Sequence, residues 1–453
     1  MFSIQKKLPT SRVLFISFDG GVVADGFLQR PDRYRFWMQN GSQGYSIPRG
    51  AGLSYAAASF SQGGISVEHR FFNRILDFDS EKNVVEVEAG IELSALHDFL
   101  SCRGLYLPIQ PGHGRITVGG CIAADVHGKN QAKDGTFINQ VVALTLFHPN
   151  HGVIEIFPES EPELFRLTCG GYGLTGHIIR AKLHASPIPS FTLEAIAIPV
   201  SDVYSGINYL VRNALEADMA YSWHDFTLKG SSFGRGYIYL ARFTSEKSLE
   251  PLRFHHRTNP PALSSTKRIS WNLPMLNRIT TPILNFLYSR NQGFHGQLRL
   301  MNLYDILFPI HKTQFYFNLF GVHGFHEYQI VIPADRTQNY LDAVQDYINK
   351  HSIPVTLASA KLFSGTQDLL RFTGEGTCFA LNFPRTQKSS NFLIFLDNLL
   401  MQIGGIPNII KDSRLPRSVV DSCYPEADLF RRQLYAFDSK RVFRSELSER
   451  LGL

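Results

Sequence analysis

The sequence predicts an α+β chain of two domains, and three observations carry that expectation. At 453 residues it exceeds what one ordinary hydrophobic core organises. Three glycine-rich segments, 50–52, 112–128 and 170–176, all precede a break at Pro187-Ile188-Pro189. Beyond that break, 326–411 reads strand, helix, strand, strand, helix and a last extended piece, the split β-α-β order of an antiparallel sheet.

Each element has a local reason. Residues 1–45 read as a strand or extended arm and then a short helix, Arg33–Gln39, begun after Pro31-Asp32. A turn-rich loop from Pro48 to Tyr55 leaves a short apolar strand. Strands are expected at 64–68 and 74–78, around Arg70, and at 83–89, where NVVEVEA alternates. Over 92–103, Leu93, Leu96, Phe99 and Leu100 share one helical face, and Gly104 stops the helix. Two apolar runs in 141–157 flank Pro149-Asn150-His151-Gly152, a hairpin signal. Glu161–Leu167 is a helical turn, and Ile178–Leu183 is a strand leaving the third glycine loop.

In the second half, strands fall at Glu327–Ile332, 354–362 and 377–383. Helices fall at Asn339–Asn349, with Leu341, Val344, Tyr347 and Ile348 on one face, and at 391–402, stopped by Gly404-Gly405. The extended piece ends near Lys411. Segment 244–290 mixes Pro, Ser, Lys and Arg with Trp271, Leu273, Met275, Leu276, Ile279 and Phe286. It reads either as a surface excursion with one packed helix, or as a lid or peripheral contact with a lipid headgroup layer.

Composition narrows the partners. Apolar residues make 44% of the chain and charged residues 19%, which is globular rather than disordered. A net charge of +6, spread along the chain, suits a phosphorylated ligand or an anionic surface and not nucleic acid. Cys102, Cys121, Cys169, Cys378 and Cys423 are odd in number and widely spaced, so a reducing, cytoplasmic setting is expected, with no disulfide framework and no metal site. The apolar run 13–18 is too short for a signal segment.

The chemistry centres on 112–130. Glycine lets backbone approach a ligand closely, and the small residues between its glycines leave N–H groups to face an anion. His127, Lys129 and Asn130 follow at once, placing reactive side chains beside a phosphate cradle. No G-K-[ST] follows any of the glycines, which excludes a P-loop. None opens a long helix as G-x-G-x-x-G with a carboxylate about 20 residues on, which disfavours a nicotinamide Rossmann domain.

The motifs themselves resemble a family. Pro48-Arg49-Gly50-Ala51-Gly52-Leu53-Ser54-Tyr55 is similar to the pyrophosphate loop R-G-x-G-x-S of vanillyl-alcohol-oxidase, or PCMH-type, FAD-linked oxidases. Thr117-Val118-Gly119-Gly120-Cys121-Ile122-Ala123 resembles its T-V-G-G-x-I-A, and Gly170–Gly176 its G-G-x-G-x-x-G. Four further pieces resemble a narrower group that oxidises a phosphoprenyl-linked sugar as half of an epimerase for cell-envelope polysaccharide. They are Asp125-Val126-His127-Gly128-Lys129-Asn130, Tyr328-Gln329-Ile330-Val331-Ile332-Pro333, Ile410-Lys411-Asp412-Ser413-Arg414 and Asp438-Ser439-Lys440-Arg441-Val442-Phe443.

The resemblance implies a PCMH-type FAD-binding domain over 1–188, an antiparallel-sheet substrate-binding domain over 189–405, and a segment 406–453 returning to the first. It implies that FAD is held by Pro48, Arg49, Gly50, Ala51, Gly52, Leu53, Ser54, Tyr55, Gly112, Thr117, Val118, Gly119, Gly120, Ala124, Asp125, His127, Ile178 and Asn408. Binding would be non-covalent, because Leu53 stands where covalent members carry histidine. Lys411, His127 and Tyr55 are the implied catalytic residues, Lys411 facing flavin and substrate oxygens and the other two as base or orienting groups. Lys129, Tyr316, Gln329, Lys361, Cys378 and Ala380 would line the substrate, with Lys129 and Lys361 toward a phosphate.

The expected reaction is oxidation of a secondary sugar alcohol to a keto sugar, with a short-chain reductase completing the epimerisation at the inner face of the membrane. Two alternatives stand beside it: an aldonolactone or alditol oxidase taking a soluble polyol, and a non-catalytic flavin-binding component of an envelope-assembly complex. The chain departs from the narrower group at three places. Ala380 occupies the position of a reactive cysteine, with Cys378 one pleat away. Asn408 replaces a flavin-contacting tyrosine, and the loop between Tyr316 and Gln329 is shorter.

Overall fold

A computed structural model describes residues 8–40, 44–245, 274–293 and 298–453. Three sheets of four or more strands organise the described residues. The first runs in the order Thr10–Ile16, Val23–Gln29, Ile65–Glu68, Ser46–Arg49. Where one strand or an extended arm is expected over 1–45, the chain forms a hairpin: Val23–Gln29 folds back on Thr10–Ile16, with Val13 opposite Gly26. The second sheet runs Ile75–Asp79, Val84–Glu88, His177–His184, Val141–His148, Gly152–Ile156. Its last pair is the expected hairpin, and helix Leu93–Ser101 packs its buried Leu93, Leu96 and Leu100 in the same core.

The third sheet has eight strands, ordered Arg299–Asn302, Thr192–Val200, Arg235–Phe243, Met219–Asp225, Leu357–Phe363, Gly376–Pro384, Phe325–Ile332, Ile406–Pro407. Each half is a β-α-β-β-α-β unit whose strands stand fourth, first, third, second from the outer edge. The halves meet second strand to second strand, antiparallel, with Ser222 opposite Ala360. The unit is thus duplicated about a pseudo-twofold. The sequence pattern exposes only the second copy, because a long connection separates the third strand of the first copy from its second helix.

Three of the four helices cover one face of this sheet. Val203–Asn213, Thr337–His351 and Gln387–Ile403 bury their apolar residues against Tyr328, Ile330, Ala358, Ala360, Phe379 and Leu381. Two of them start on side-chain caps, Asp202 and Thr386, each worth about 1 kcal/mol. The fourth helix, Thr280–Gly293, lies on the opposite face. Tyr288 packs on Trp223 with ring centroids 4.7 Å apart, and the Tyr237 hydroxyl donates to Ser289 O at 3.0 Å. That displacement puts a wall over the open side of the sheet. Residues 246–273, the larger part of the segment read as an excursion or lid, lie outside the described residues.

The C-terminal segment touches both halves of the chain. Helix Arg417–Cys423 joins the core behind the eight-stranded sheet through Val419 and Val420. Beyond it, Ser46 N–H donates to Val442 O at 3.0 Å, and Glu446 N–H donates to Phe60 O at 2.9 Å. The extended piece near Lys411 is shorter than expected: a two-residue strand, then a 3-10 turn Ile409–Lys411. Among the described residues no helix is long and apolar enough to cross a membrane.

Candidate active site

A cavity of about 730 Å³ lies between the glycine-rich loops and the open face of the eight-stranded sheet. That volume is in the usual range of ligand sites. Its floor follows from strand pleat, since alternate residues face one side. Glu327 and Gln329, then Leu357, Ser359 and Lys361, then Cys378, Ala380 and Asn382 all line it, while Tyr328, Ile330 and Phe379 point into the core behind.

The opposite wall comes from the glycine loops. Loop 50–54 packs so closely on Thr117 that a Cβ on Gly50 would meet Thr117 Oγ1 at 2.2 Å. Gly52 stands at φ +70°, a conformation that favours glycine. The N–H groups of Gly50, Ala51, Gly52 and Leu53 find no protein acceptor among the described residues. A row of free donors on small residues fits the pyrophosphate of a dinucleotide, since buried N–H groups require partners.

Nearly all of the expected site residues come together at this cavity. Lys411, His127, Tyr55, Lys129, Tyr316, Gln329, Lys361, Cys378 and Ala380 all line it. So do Pro48 through Tyr55, Gly112, Thr117, Gly119, Gly120, Ala124, Asp125, Ile178 and Asn408. Val118 is the correction: its side chain is fully buried in the core beneath, and its N–H donates to Ile91 O at 2.9 Å. The stretch expected as an open cradle is in part a helix, Val118–Ala124, with Thr117 Oγ1 accepting from Gly120 N–H at its start. Gly119 N–H is also taken, by Ala89 O at 2.7 Å. Asp125 closes the helix at φ 40°, and its carboxylate accepts from Thr136 Oγ1 and Ile138 N–H beside Arg371. This turn aims His127 into the cavity.

The polar groups form one chain. Asn408 Nδ2 donates to Gln329 Oε1 at 2.7 Å, and Gln329 Nε2 donates to His127 Nε2 at 3.2 Å. His127 Nδ1 lies 3.0 Å from Gly128 O and so carries the ring's proton. Burial, and then Lys361, hold the His127 pKa well below its usual value, so the ring is neutral. Lys129 Nζ donates to Ile306 O at 2.6 Å, and burial pushes its pKa down to about 7. Lys411 Nζ lies 3.2 Å from Glu327 Oε1 and 4.1 Å over the Tyr55 ring centroid. Burial, and then Glu327, raise the Tyr55 phenol pKa well above normal. The Cys378 thiol is pushed up to about 12, chiefly by burial.

Sequence reasoning missed Glu327, Ser359, Trp223, Leu284, Asn285 and Tyr288, all of which line the cavity. Period-two spacing from Gln329 and Lys361 was a signal for the first two. Leu284, Asn285 and Tyr288 had none, because they depend on helix Thr280–Gly293 crossing to this face.

The fold and this cavity define a flavin-dependent oxidoreductase class, and comparison with known proteins agrees. The FAD binding domain family matches residues 42–156. The chain is 30% identical over 420 residues to decaprenylphosphoryl-β-D-ribose oxidase of Mycolicibacterium smegmatis, covering 90% of this chain and 89% of that protein. It is 25% identical over 379 residues to an uncharacterized protein of Streptomyces coelicolor, covering 80% and 100%. L-Gulonolactone oxidase of Bos taurus is 36% identical over 127 residues, 28% of each chain. The chain belongs to the family of FAD-dependent oxidases that contains decaprenylphosphoryl-β-D-ribose oxidase, and it is an oxidoreductase acting on a CH–OH donor.

Proposed function

We propose that this enzyme oxidises a secondary hydroxyl of a phosphoprenyl-linked sugar to a ketone. The observation that carries the reading is a gradient in the cavity lining. Along strand 357–363 it passes from Leu357 through Ser359 to Lys361, about 13 Å from end to end. Trp223, Leu284 and Tyr288 add apolar surface to the lining, and His127, Gln329 and Lys411 add polar groups. A ligand with a polar sugar phosphate and an apolar chain matches that division.

In this reading 1–188 and 406–453 carry the cofactor, and 189–405 the substrate. Loop 50–53, with Gly112, Thr117, Gly120, Ala124, Asp125, Ile178 and Asn408, holds FAD, and Leu53 offers no group for a covalent link. Bound FAD supplies the two-electron acceptor for the carbinol hydrogen. Lys361 meets the substrate phosphate, and Lys129 fixes the carbonyls of Ile306 and Leu307, just ahead of the wall residues Pro309 and Ile310. His127 and Gln329 orient the sugar. The product ketone is then a substrate for a separate short-chain reductase. A lipid-linked substrate brings the protein to the inner face of the membrane, where exposed Ile279, Phe286 and Leu287 meet headgroups.

The test is anaerobic bleaching of the bound flavin by a short-chain prenylphosphoryl-β-D-ribose, with free alditols and L-gulonolactone in parallel. Bleaching by the lipid-linked ribose alone supports the reading. Bleaching by the free compounds alone supports an aldonolactone or alditol oxidase, which the likeness to L-gulonolactone oxidase favours over 28% of the chain. Purified protein that binds no FAD ends both.

A further inference from the structure

We infer that Glu327 is the catalytic base of this oxidation, taking the hydroxyl proton of the substrate at its carboxylate. The inference rests on the proposed alcohol oxidation and adds to it the fate of the proton. Oxidising a carbinol breaks two bonds to hydrogen. The C–H hydrogen leaves with its electron pair to the oxidised flavin, which is reduced by two electrons. The O–H hydrogen leaves as a proton, and a C=O bond forms. A group with a free lone pair must stand at the sugar hydroxyl.

Lys411, His127, Tyr55 and Asp125, which also line the cavity, are poorer acceptors. Lys411 is an ammonium with donors only. His127 Nδ1–H faces Gly128 O, and its Nε2 lone pair already accepts from Gln329. A proton added there would sit near both Lys361 and Lys411. The Tyr55 hydroxyl would have to ionise first, in a buried site next to the Glu327 carboxylate. Asp125, the second carboxylate at the cavity wall, spends its oxygens on Thr136 and Ile138 and faces Arg371 at 3.8 Å.

Glu327 is also ion-paired, but it keeps acceptor capacity toward the cavity. It stands on the floor strand two residues before Gln329, and its side chain is 10% exposed. The carboxylate meets Lys411 at 3.2 Å and accepts from the Tyr55 hydroxyl, and its two oxygens, with about four lone-pair sites, still leave one for a substrate hydroxyl. The pairing also balances charge through the step. As Glu327 takes the proton, Lys411 loses its carboxylate partner, and its ammonium would then be available to negative charge on the reduced cofactor.

Glu327→Gln keeps the shape and removes the base. Stopped-flow anaerobic flavin reduction by prenylphosphoryl-β-D-ribose should slow by about 10²–10⁴-fold, with FAD stoichiometry and the affinity for a non-oxidisable analogue lacking the reacting hydroxyl unchanged. Glu327→Asp should recover part of the rate. Infrared difference spectra of the wild type on reduction by substrate should gain a protonated-carboxyl band that Glu327→Gln lacks. A Glu327→Gln enzyme that keeps the wild-type rate, or shows the same band, overturns the assignment. So does one whose loss is explained by lost FAD or lost analogue binding. If only a free alditol or lactone bleaches the wild type, the lipid-linked substrate falls and the same variants decide Glu327 with that compound. If nothing bleaches it, the oxidase reading and the base fall together.

Discussion

The Lys411 ammonium stands 4.1 Å over the Tyr55 ring, joining the turn after the last sheet strand to the first glycine-rich loop. A cation held on an aromatic face in a partly dry site is worth about 2 kcal/mol. Lys411→Met removes the charge and keeps the stem. Flavin reduction should slow by about 10²–10³-fold, the usual cost of losing a group that stabilises developing charge, with FAD retained. Tyr55→Phe keeps the ring and should stay within about tenfold of wild type, because the phenol is not the base. Stopped-flow rates for the two variants check this. A larger loss in Tyr55→Phe than in Lys411→Met would reverse the roles.

Gly50 is where the cofactor loop tolerates least. A Cβ there would meet Thr117 Oγ1 at 2.2 Å, and that oxygen already accepts from Gly120 N–H at the start of helix 118–124. Gly50→Ala must displace either the loop or the cap, and Thr117 caps are worth about 1 kcal/mol. The variant should purify with little flavin, read from the visible absorbance per chain, while its far-ultraviolet circular dichroism stays native. Full flavin occupancy would show that the loop yields without cost.

How much of this was legible in the sequence follows from the range of each interaction. The hairpin at 141–156, helix 93–101 and the unit at 325–407 were legible because their signals are local: alternation, helical spacing, and glycine stops such as Gly404 at φ +69°. Most of the site was legible through motifs whose residues are neighbours in the chain, such as His127 with Lys129. The role of Glu327 was not, because it depends on Lys411 arriving from 84 residues away by a sheet pairing that only the fold reveals. The role of Val118 was misread because a small apolar residue between glycines looks the same whether its N–H faces a ligand or Ile91 O.

The Asn408–Gln329–His127 chain predicts a stability effect. Gln329→Met fits the volume but leaves the Asn408 amide and His127 Nε2 without that partner. Stranding buried polar groups costs about 1–3 kcal/mol each. The apparent Tm should fall measurably, and Asn408→Ala in the same background should cost less than it does alone, since the two share one network. Additive losses in the double variant would separate the two residues.

Acid should destabilise this protein earlier than its carboxylates alone require. His69, His97 and His224 are each held by burial at a pKa of about 4, below the ~6.5 of an unfolded histidine. The unfolded chain therefore binds these protons first. Stability is unaffected above about pH 6.5 and is lost as pH falls from there toward 4, by up to ~1.4 kcal/mol per pH unit for each ring. His97 lies edge-on to Phe308 at 5.9 Å, so Phe suits its site. Urea unfolding at pH 7, 6 and 5 should show a shallower decline for His97→Phe than for wild type. Parallel declines would mean that His97 takes no part.

Cys378 faces the cavity one pleat from Ala380, yet its environment argues against nucleophilic chemistry. The thiol is buried and pushed up to about 12, and although Gln329 Nε2 lies 3.6 Å from the sulfur, that contact does not offset burial. At pH 8 only about one thiol in 10⁴ is then the reactive thiolate. Cys102 is exposed, with no such burial. Iodoacetamide at pH 8 should therefore label Cys102 within minutes and leave Cys378 unmodified in the folded protein, as read by peptide mass spectrometry. Cys378→Ser should keep the wild-type rate of flavin reduction, because the step uses the sheet face that carries this residue but not its sulfur. Rapid labelling of Cys378, with loss of that rate, would return a thiol to the chemistry.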